Sequence, residues 1–283
     1  IGYRQDVLAD FRTYPELARS LYDLAVEAIE KEHKFWLGAF GQHPSSILGR
    51  SVEVLVMFVE MLHRLRAVAE ENSGRVASAG LAALFAMLAD QLSDDYFAEV
   101  AAHLKTLKFR AGLLLSARLG DGVKETGYVL RSPTAGRHHL ADFIHGRSKM
   151  SFTIPDRDEA GAVALGEIRD RGINLVANAT AQSVDHIVGF FVMLRTELAF
   201  YVGCLNLEAH LAAKGAPIVR PQALAPGSRW HATGLYDASL ALAIDTPVVG
   251  NDLDADGTDL VVVTGANRGG KTTFLRALGL SQL

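Results

Sequence analysis

Leu260-Val261-Val262-Val263-Thr264-Gly265-Ala266-Asn267-Arg268-Gly269-Gly270-Lys271-Thr272-Thr273-Phe274-Leu275-Arg276-Ala277-Leu278 governs how the rest of the chain is read. The short apolar run before Thr264 has the character of a buried strand, and residues 274–278 carry helical spacing. Between them stands G-x-x-x-x-G-K-[ST], a loop that joins a strand to a helix around a phosphate group. Glycines let the backbone approach phosphate oxygens in conformations that a Cβ would obstruct. The loop amides and the positive end of the following helix then face the anion. Lys271 supplies a point charge to the β- and γ-phosphates, and the Thr272 hydroxyl suits magnesium. The expected ligand is ATP with Mg2+, held by Gly265, Ala266, Asn267, Arg268, Gly269, Gly270, Lys271, Thr272 and Thr273. Lys271 is the expected catalytic residue and Thr272 the expected metal ligand.

Outward from this loop the composition changes twice. Residues 250–257 read as a polar loop, preceded by short strand-like runs. Pro217, Pro221 and Pro226 between Gly215 and Gly227 cannot continue a helix and mark a domain boundary. Two domains are expected: residues 1–215, mainly helical, and residues 216–283, the start of an α/β ATPase domain. The longest helix is expected over about residues 181–213, with Val184, Ile187, Val188, Phe191, Leu194, Leu198, Tyr201, Val202 and Leu205 near one stripe. Some thirty residues would span roughly 45–50 Å, long enough to serve as a strut. Leu17, Leu21, Leu24, Ala25 and Ala28 mark an earlier helix, and Leu55, Phe58, Val59, Leu62 and Leu65 another. Two shorter helical runs fill residues 73–105, separated near Ser93. Residues 113–119 and 123–130 flank Gly120-Asp121-Gly122, a hairpin signal.

The chain has 283 residues, 49% hydrophobic and 21% charged, enough for a sizeable core. A net charge of -4 gives no global attraction to DNA or anionic membrane, so any nucleic-acid contact must come from a local patch. A single cysteine, Cys204, excludes an internal disulfide framework and fits a reducing cytoplasm. Its apolar helical setting reads as core packing. No signal peptide is visible, and no continuous apolar run reaches the roughly 18–20 residues of a membrane span. The first residue is Ile1 and the last, Leu283, falls within the helix after the loop, so a fragment cut at both ends is expected.

The loop resembles the P-loop of the MutS family of DNA mismatch-repair ATPases, whose pattern reads T-G-P-N-M-G-G-K-S-T. Asn267 followed by Gly269-Gly270-Lys271 is the distinguishing feature. Asn251-Asp252 resembles the N-D element that lies near the adenine in that family, which implies a nucleotide-binding role for Asn251. The long helix followed by Pro221 resembles the lever between core and ATPase, and the hairpin resembles the clamp region. The resemblance implies a mainly α protein with a helical core and lever, a small β-hairpin insertion and the start of a P-loop domain. It also implies a second MutS-like subunit, duplex DNA (mismatched or branched) as partner, and ATP binding and hydrolysis that gate DNA binding. Ala266, Arg268 and Thr272 replace the family's Pro, Met and Ser, which suggests a divergent branch. A Walker B acid, the signature segment and the late histidine do not occur after Lys271, so the fragment itself is expected to bind nucleotide poorly and hydrolyse essentially none. The competing reading is a nucleotide-switched scaffold that binds partner proteins or membrane, or a non-mismatch MutS-like ATPase, without specific DNA recognition. An ABC-like or SMC-like ATPase explains Asn267 less well.

Weaker features have plainer readings. Phe97-Ala98-Glu99 matches the F-x-E of a mismatch wedge but lies in a helical run, so Phe97 is expected in the core. Arg131, Arg137, Arg147 and Lys149 against Asp142 give residues 131–150 a local excess of positive charge, with His138, His139 and His145 interspersed. A solvated loop is the default there, phosphate contact the alternative, and a metal site lacks ligand spacing. Trp230 and His231 read as a domain-edge anchor, and Arg195 and Glu197 as the polar face of the long helix.

Overall fold

Helix α1 (Gly2–Thr13) hands over at Tyr14 to α2 (Pro15–Trp36), then come α3 (Pro44–Asn72), α4 (Ala79–Gln91) and α5 (Asp94–Leu107). A two-stranded antiparallel hairpin follows, β1 (Leu114–Leu119) with β2 (Glu125–Arg131), and then α6 (Glu159–Ala213). The last part carries β3 (His231–Leu235), α7 (Ala238–Ala243), β4 (Asn251–Asp254) and α8 (Lys271–Ser281). The computed structural model describes residues 2–36, 41, 43–110, 112–119, 125–131, 153–155, 157–222, 230–258 and 260–282. The chain divides into two compact units, residues 1–22, 72–84 and 196–283, and residues 23–71 and 85–195.

The apolar stripes read from the sequence are buried faces. Leu17, Leu21, Leu24, Ala25 and Ala28 of α2 are all buried, as are Phe58, Leu62 and Leu65 of α3. Ser93 caps α5 by accepting the Tyr96 amide at 3.2 Å, which explains the break between the two shorter helices. In the unit of residues 23–71 and 85–195, Leu48 and Val52 of α3, Leu104 of α5, and Ile173 and Ala177 of α6 form one cluster. Phe109, Leu113 and Leu130 pack on it and anchor the foot of the hairpin. Phe58 stacks on Phe191 at 5.8 Å, and Phe97, 5% exposed, stacks on His63 at 3.5 Å between ring centroids. Phe97 is therefore a core residue, as its helical setting indicates.

Helix α6 begins 22 residues earlier than the sequence suggests and runs for 55 residues. The stripe was legible only from Val184 onward. The same seven-residue spacing reaches back through Ala177, giving buried positions at Ala177, Val184, Phe191, Leu198 and Leu205. Small residues such as Ala177 carry little signal in a hydropathy pattern. Helix α6 is long and apolar enough to cross a membrane, by length and composition alone. The sequence expectation of no such run differs because a mean tolerates polar residues that interrupt a continuous stretch. Core helices of soluble proteins meet the same criterion.

In the unit of residues 1–22, 72–84 and 196–283, Phe11 meets Tyr201 edge-on at 5.2 Å. Asp10, 7% exposed, accepts the Ala77 amide at 3.0 Å and the Ser78 amide at 2.7 Å just before α4. Arg12 pairs with Glu208, and Arg4 with Glu197 at 3.0 Å, which places Glu197 on the polar face. Cys204 is half-buried, and burial pushes its thiol up. Gly215, at φ 67, ends α6 in a left-handed residue, with the Ala216 amide returning to the Leu211 carbonyl at 3.0 Å.

Three carboxyls give this fold its acid sensitivity. The Arg64 and Lys31 side chains hold Glu27 down to about 2 against opposing burial. Burial pushes Asp10 up, but the Ser78 hydroxyl and the Ala77 and Ser78 amides outweigh it and leave it below its ordinary value. Asp237 behaves likewise through Arg276 and the Leu240 and Ser239 amides. Each carboxyl is lower in the folded than in the unfolded chain, so its contribution is complete above the unfolded values of 4.5 and 3.8 and lost as pH falls through the folded ones. Thermal midpoints should be flat across roughly pH 6–8 as far as these groups are concerned and fall between about pH 4.5 and 2. Calorimetry across that range checks it.

Candidate functional site

The loop of residues 265–270 turns through three left-handed or near-left-handed residues, Gly265 at φ 151, Arg268 at φ 66 and Gly270 at φ 83. The Gly269 amide bonds to the Ala266 carbonyl at 3.1 Å, and a Cβ on Gly269 would stand 3.0 Å from that oxygen. Helix α8 starts directly from Gly270, and no side chain caps its first amides. The Lys271 ammonium lies inside the turn, donating to the Gly265 and Ala266 carbonyls at 2.7 Å each. A cation at the centre of the turn and uncapped amides at its rim give the loop the donor set that an anion requires. Thr272 is exposed and Thr273 half-buried; Ala266, Asn267 and Arg268 are exposed.

Helix α8 is fixed by Ala277 and Leu278, both buried, and by Arg276, which pairs with Asp237. Asp237 is 2% exposed and also caps α7, accepting the Ser239 amide at 3.0 Å and the Leu240 amide at 3.1 Å. The pair ties the cap of one helix to the second turn of the helix that carries Lys271. Sequence reading did not connect these residues, which lie 39 positions apart. The only signal was Asp237 before a short helical run.

Two expectations about the surroundings are corrected. Residues 260–263 do not form a strand: Leu260 is 76% and Val262 72% exposed. A strand needs partner backbone, and a continuous apolar strand needs cover on both faces. Here β3 and β4 pair with each other, and among the described residues nothing pairs with 260–263. Conversely, the polar stretch read as a loop contains β4, whose Leu253 pairs with Ala232 and Asn251 with Leu235. The Asp252 carboxylate accepts the Gly234 amide at 2.7 Å. Asn251 is exposed, and among the described residues no hydrogen bond joins it to the loop.

Of the basic stretch, Arg131 ends β2 and donates to the Ser116 hydroxyl at 3.0 Å; Arg137, His138, His139, Asp142, His145, Arg147 and Lys149 lie outside the described residues. So does the Gly120-Asp121-Gly122 turn. No cluster of metal-ligating side chains occurs among the described residues. His231 lies in β3 with its ring 3.2 Å from the Thr233 hydroxyl, and the Trp230 carbonyl accepts the Ala255 amide at 3.0 Å.

A family model described as the MutS2 N-terminal domain matches residues 1–214. No curated protein and no solved structure matches the chain.

Proposed function

Because the chain belongs to the MutS2 N-terminal domain family, we propose that it is part of a MutS-type protein in which ATP with magnesium, bound at residues 265–273, gates the binding of duplex DNA. The family relationship is MutS-related in the broad sense, and mismatch recognition is one use among several open to that architecture. The observation that carries the nucleotide reading is the ammonium of Lys271 held by the Gly265 and Ala266 carbonyls. It fits a loop pre-shaped for phosphate: left-handed Gly270 turns the chain into α8, whose first amides no side chain caps.

In this reading Lys271 exchanges its carbonyl partners for phosphate oxygens and stabilises negative charge there. Thr272 offers the hydroxyl that would hold magnesium, which supplies charge neutralisation and orientation of the phosphates. Asn251 lies on the adenine side by resemblance. Two MutS-like subunits would meet differently with and without nucleotide, and that difference would set their hold on DNA in a cytoplasmic protein.

Titration of the full-length protein with ATP, with and without magnesium, tests the assignment. Thr272→Val should lower affinity for Mg·ATP on the order of tenfold or more while leaving magnesium-free binding nearly unchanged. Equal loss in both conditions, or none in either, would remove Thr272 from the metal. Retention of duplex DNA should depend on which nucleotide is present.

A further inference from the structure

We propose that a basic pocket at the foot of the hairpin, lined by Lys108, Arg110 and Arg169, binds the phosphodiester backbone of a nucleic acid. The inference rests on the reading that nucleic acid is this protein's partner, and it assigns that partner a place and three named contacts.

The pocket has a volume of about 350 Å³ and lies wholly within the unit of residues 23–71 and 85–195. Leu48 and Val52 of α3, with Leu107 and Phe109, make its apolar floor. Its charged lining is three cations and one carboxylate, Glu53, an excess of positive charge in a chain whose net charge is -4. Several arginines elsewhere in the structure are neutralised: Arg4, Arg12, Arg64, Arg66, Arg220 and Arg276 each pair with a carboxylate. Among the described residues Lys108, Arg110 and Arg169 have no such partner. Three unneutralised cations around one pocket repel one another, and an arriving anion relieves that repulsion.

The backbone is arranged to bring them together. Phe109 has φ 46, a left-handed conformation that a bulky L-residue avoids. Its amide bonds to the Thr106 carbonyl at 3.1 Å and its carbonyl accepts the Gly112 amide at 2.9 Å, so the turn is held on both sides. In a regular helix or strand, three successive side chains point in different directions. Through this turn Lys108, Phe109 and Arg110 all line one pocket, with Arg169 reaching it from α6. A strained residue kept where charges converge is the kind of outlier from which function is inferred.

The start of α3 is not the anion's seat. Asp170 already occupies it, accepting the Ser45 amide at 3.2 Å and facing the His43 ring at 3.5 Å. The attraction must come from the side chains, and all three are exposed. Exposed, separately mounted cations on an open pocket suit the successive phosphates of a polymer, which forked guanidinium groups contact well. A small phosphate would need enclosing donors.

The test is fluorescence anisotropy of labelled duplex DNA and duplex RNA with the full chain across a salt series, comparing wild type with K108Q/R110Q/R169Q. Loss of three phosphate contacts should lower the slope of log K against log[salt] by about 2–3 and weaken binding at 0.1 M salt by about tenfold or more. Duplex DNA and RNA share the backbone chemistry, and the two probes show which is held. Glu53→Gln is the second variant: removing the one carboxylate in the lining should strengthen binding by about two- to fivefold, a gain that misfolding cannot imitate. Nucleic-acid binding by wild type with unchanged slope and affinity in the triple variant would overturn the pocket and leave the nucleic-acid reading standing. No binding by wild type to either duplex would overturn both. Displacement of the duplex by millimolar inorganic phosphate would overturn the assignment to a polymer.

Discussion

Lys271→Ala should abolish nucleotide-dependent behaviour in the full-length protein while leaving its thermal midpoint close to wild type. The two effects separate because among the described residues Lys271 bonds only to the Gly265 and Ala266 carbonyls, in an exposed loop where water can replace it. Toward a triphosphate the same ammonium makes charge-assisted bonds, each worth about 1.5–3 kcal/mol, or roughly 10- to 150-fold in affinity. Calorimetric titration with Mg·ATP measures the loss directly. Wild-type affinity and turnover in Lys271→Ala would mean that the site is elsewhere.

Asp237→Ala carries the largest expected cost in stability, about 2–4 kcal/mol. The carboxylate is buried, caps α7 through two amides, and pairs with Arg276. Truncation orphans those amides and strands the guanidinium. Arg276 is itself 48% exposed and can turn to water, which keeps the cost below that of a fully enclosed pair. Asp237→Asn retains an acceptor for the cap and should recover about 1 kcal/mol of the loss. Denaturant midpoints of the two variants check the order. Because the pair anchors α8, amide exchange in residues 271–281 should quicken more in Asp237→Ala than elsewhere. A wild-type midpoint for Asp237→Ala would show that the pair contributes nothing to the anchoring of this helix.

Periodicity made the helical part legible because burial there follows a single face. Leu17 through Ala28 and Phe58 through Leu65 repeat every three or four residues, and each helix needs only its own sequence to announce that face. The Gly-Gly-Lys turn was legible for a different reason: left-handed backbone selects glycine locally, whatever the fold around it. What escaped reading depends on partners distant in sequence. Residues 260–263 have the composition of a buried strand, yet composition cannot supply the neighbouring backbone that makes one. Asp237 and Arg276 meet only after tertiary packing, and Arg110 and Arg169 reach the same pocket only then. The start of α6 was lost because none of residues 159–171 is buried, so no apolar stripe marks them. The family match, residues 1–214, covers the helical part and stops before the loop, so the loop's role stands on its own chemistry.

The most direct measurement is hydrogen exchange of the backbone amides in residues 265–273 with and without Mg·ATP. If the turn closes on a triphosphate, the amides from Ala266 to Thr273 should exchange markedly more slowly with Mg·ATP, little changed with AMP, and remain unprotected in Lys271→Ala. Saturating nucleotide that leaves these amides unchanged while protecting others would place the ligand somewhere else and contradict the account.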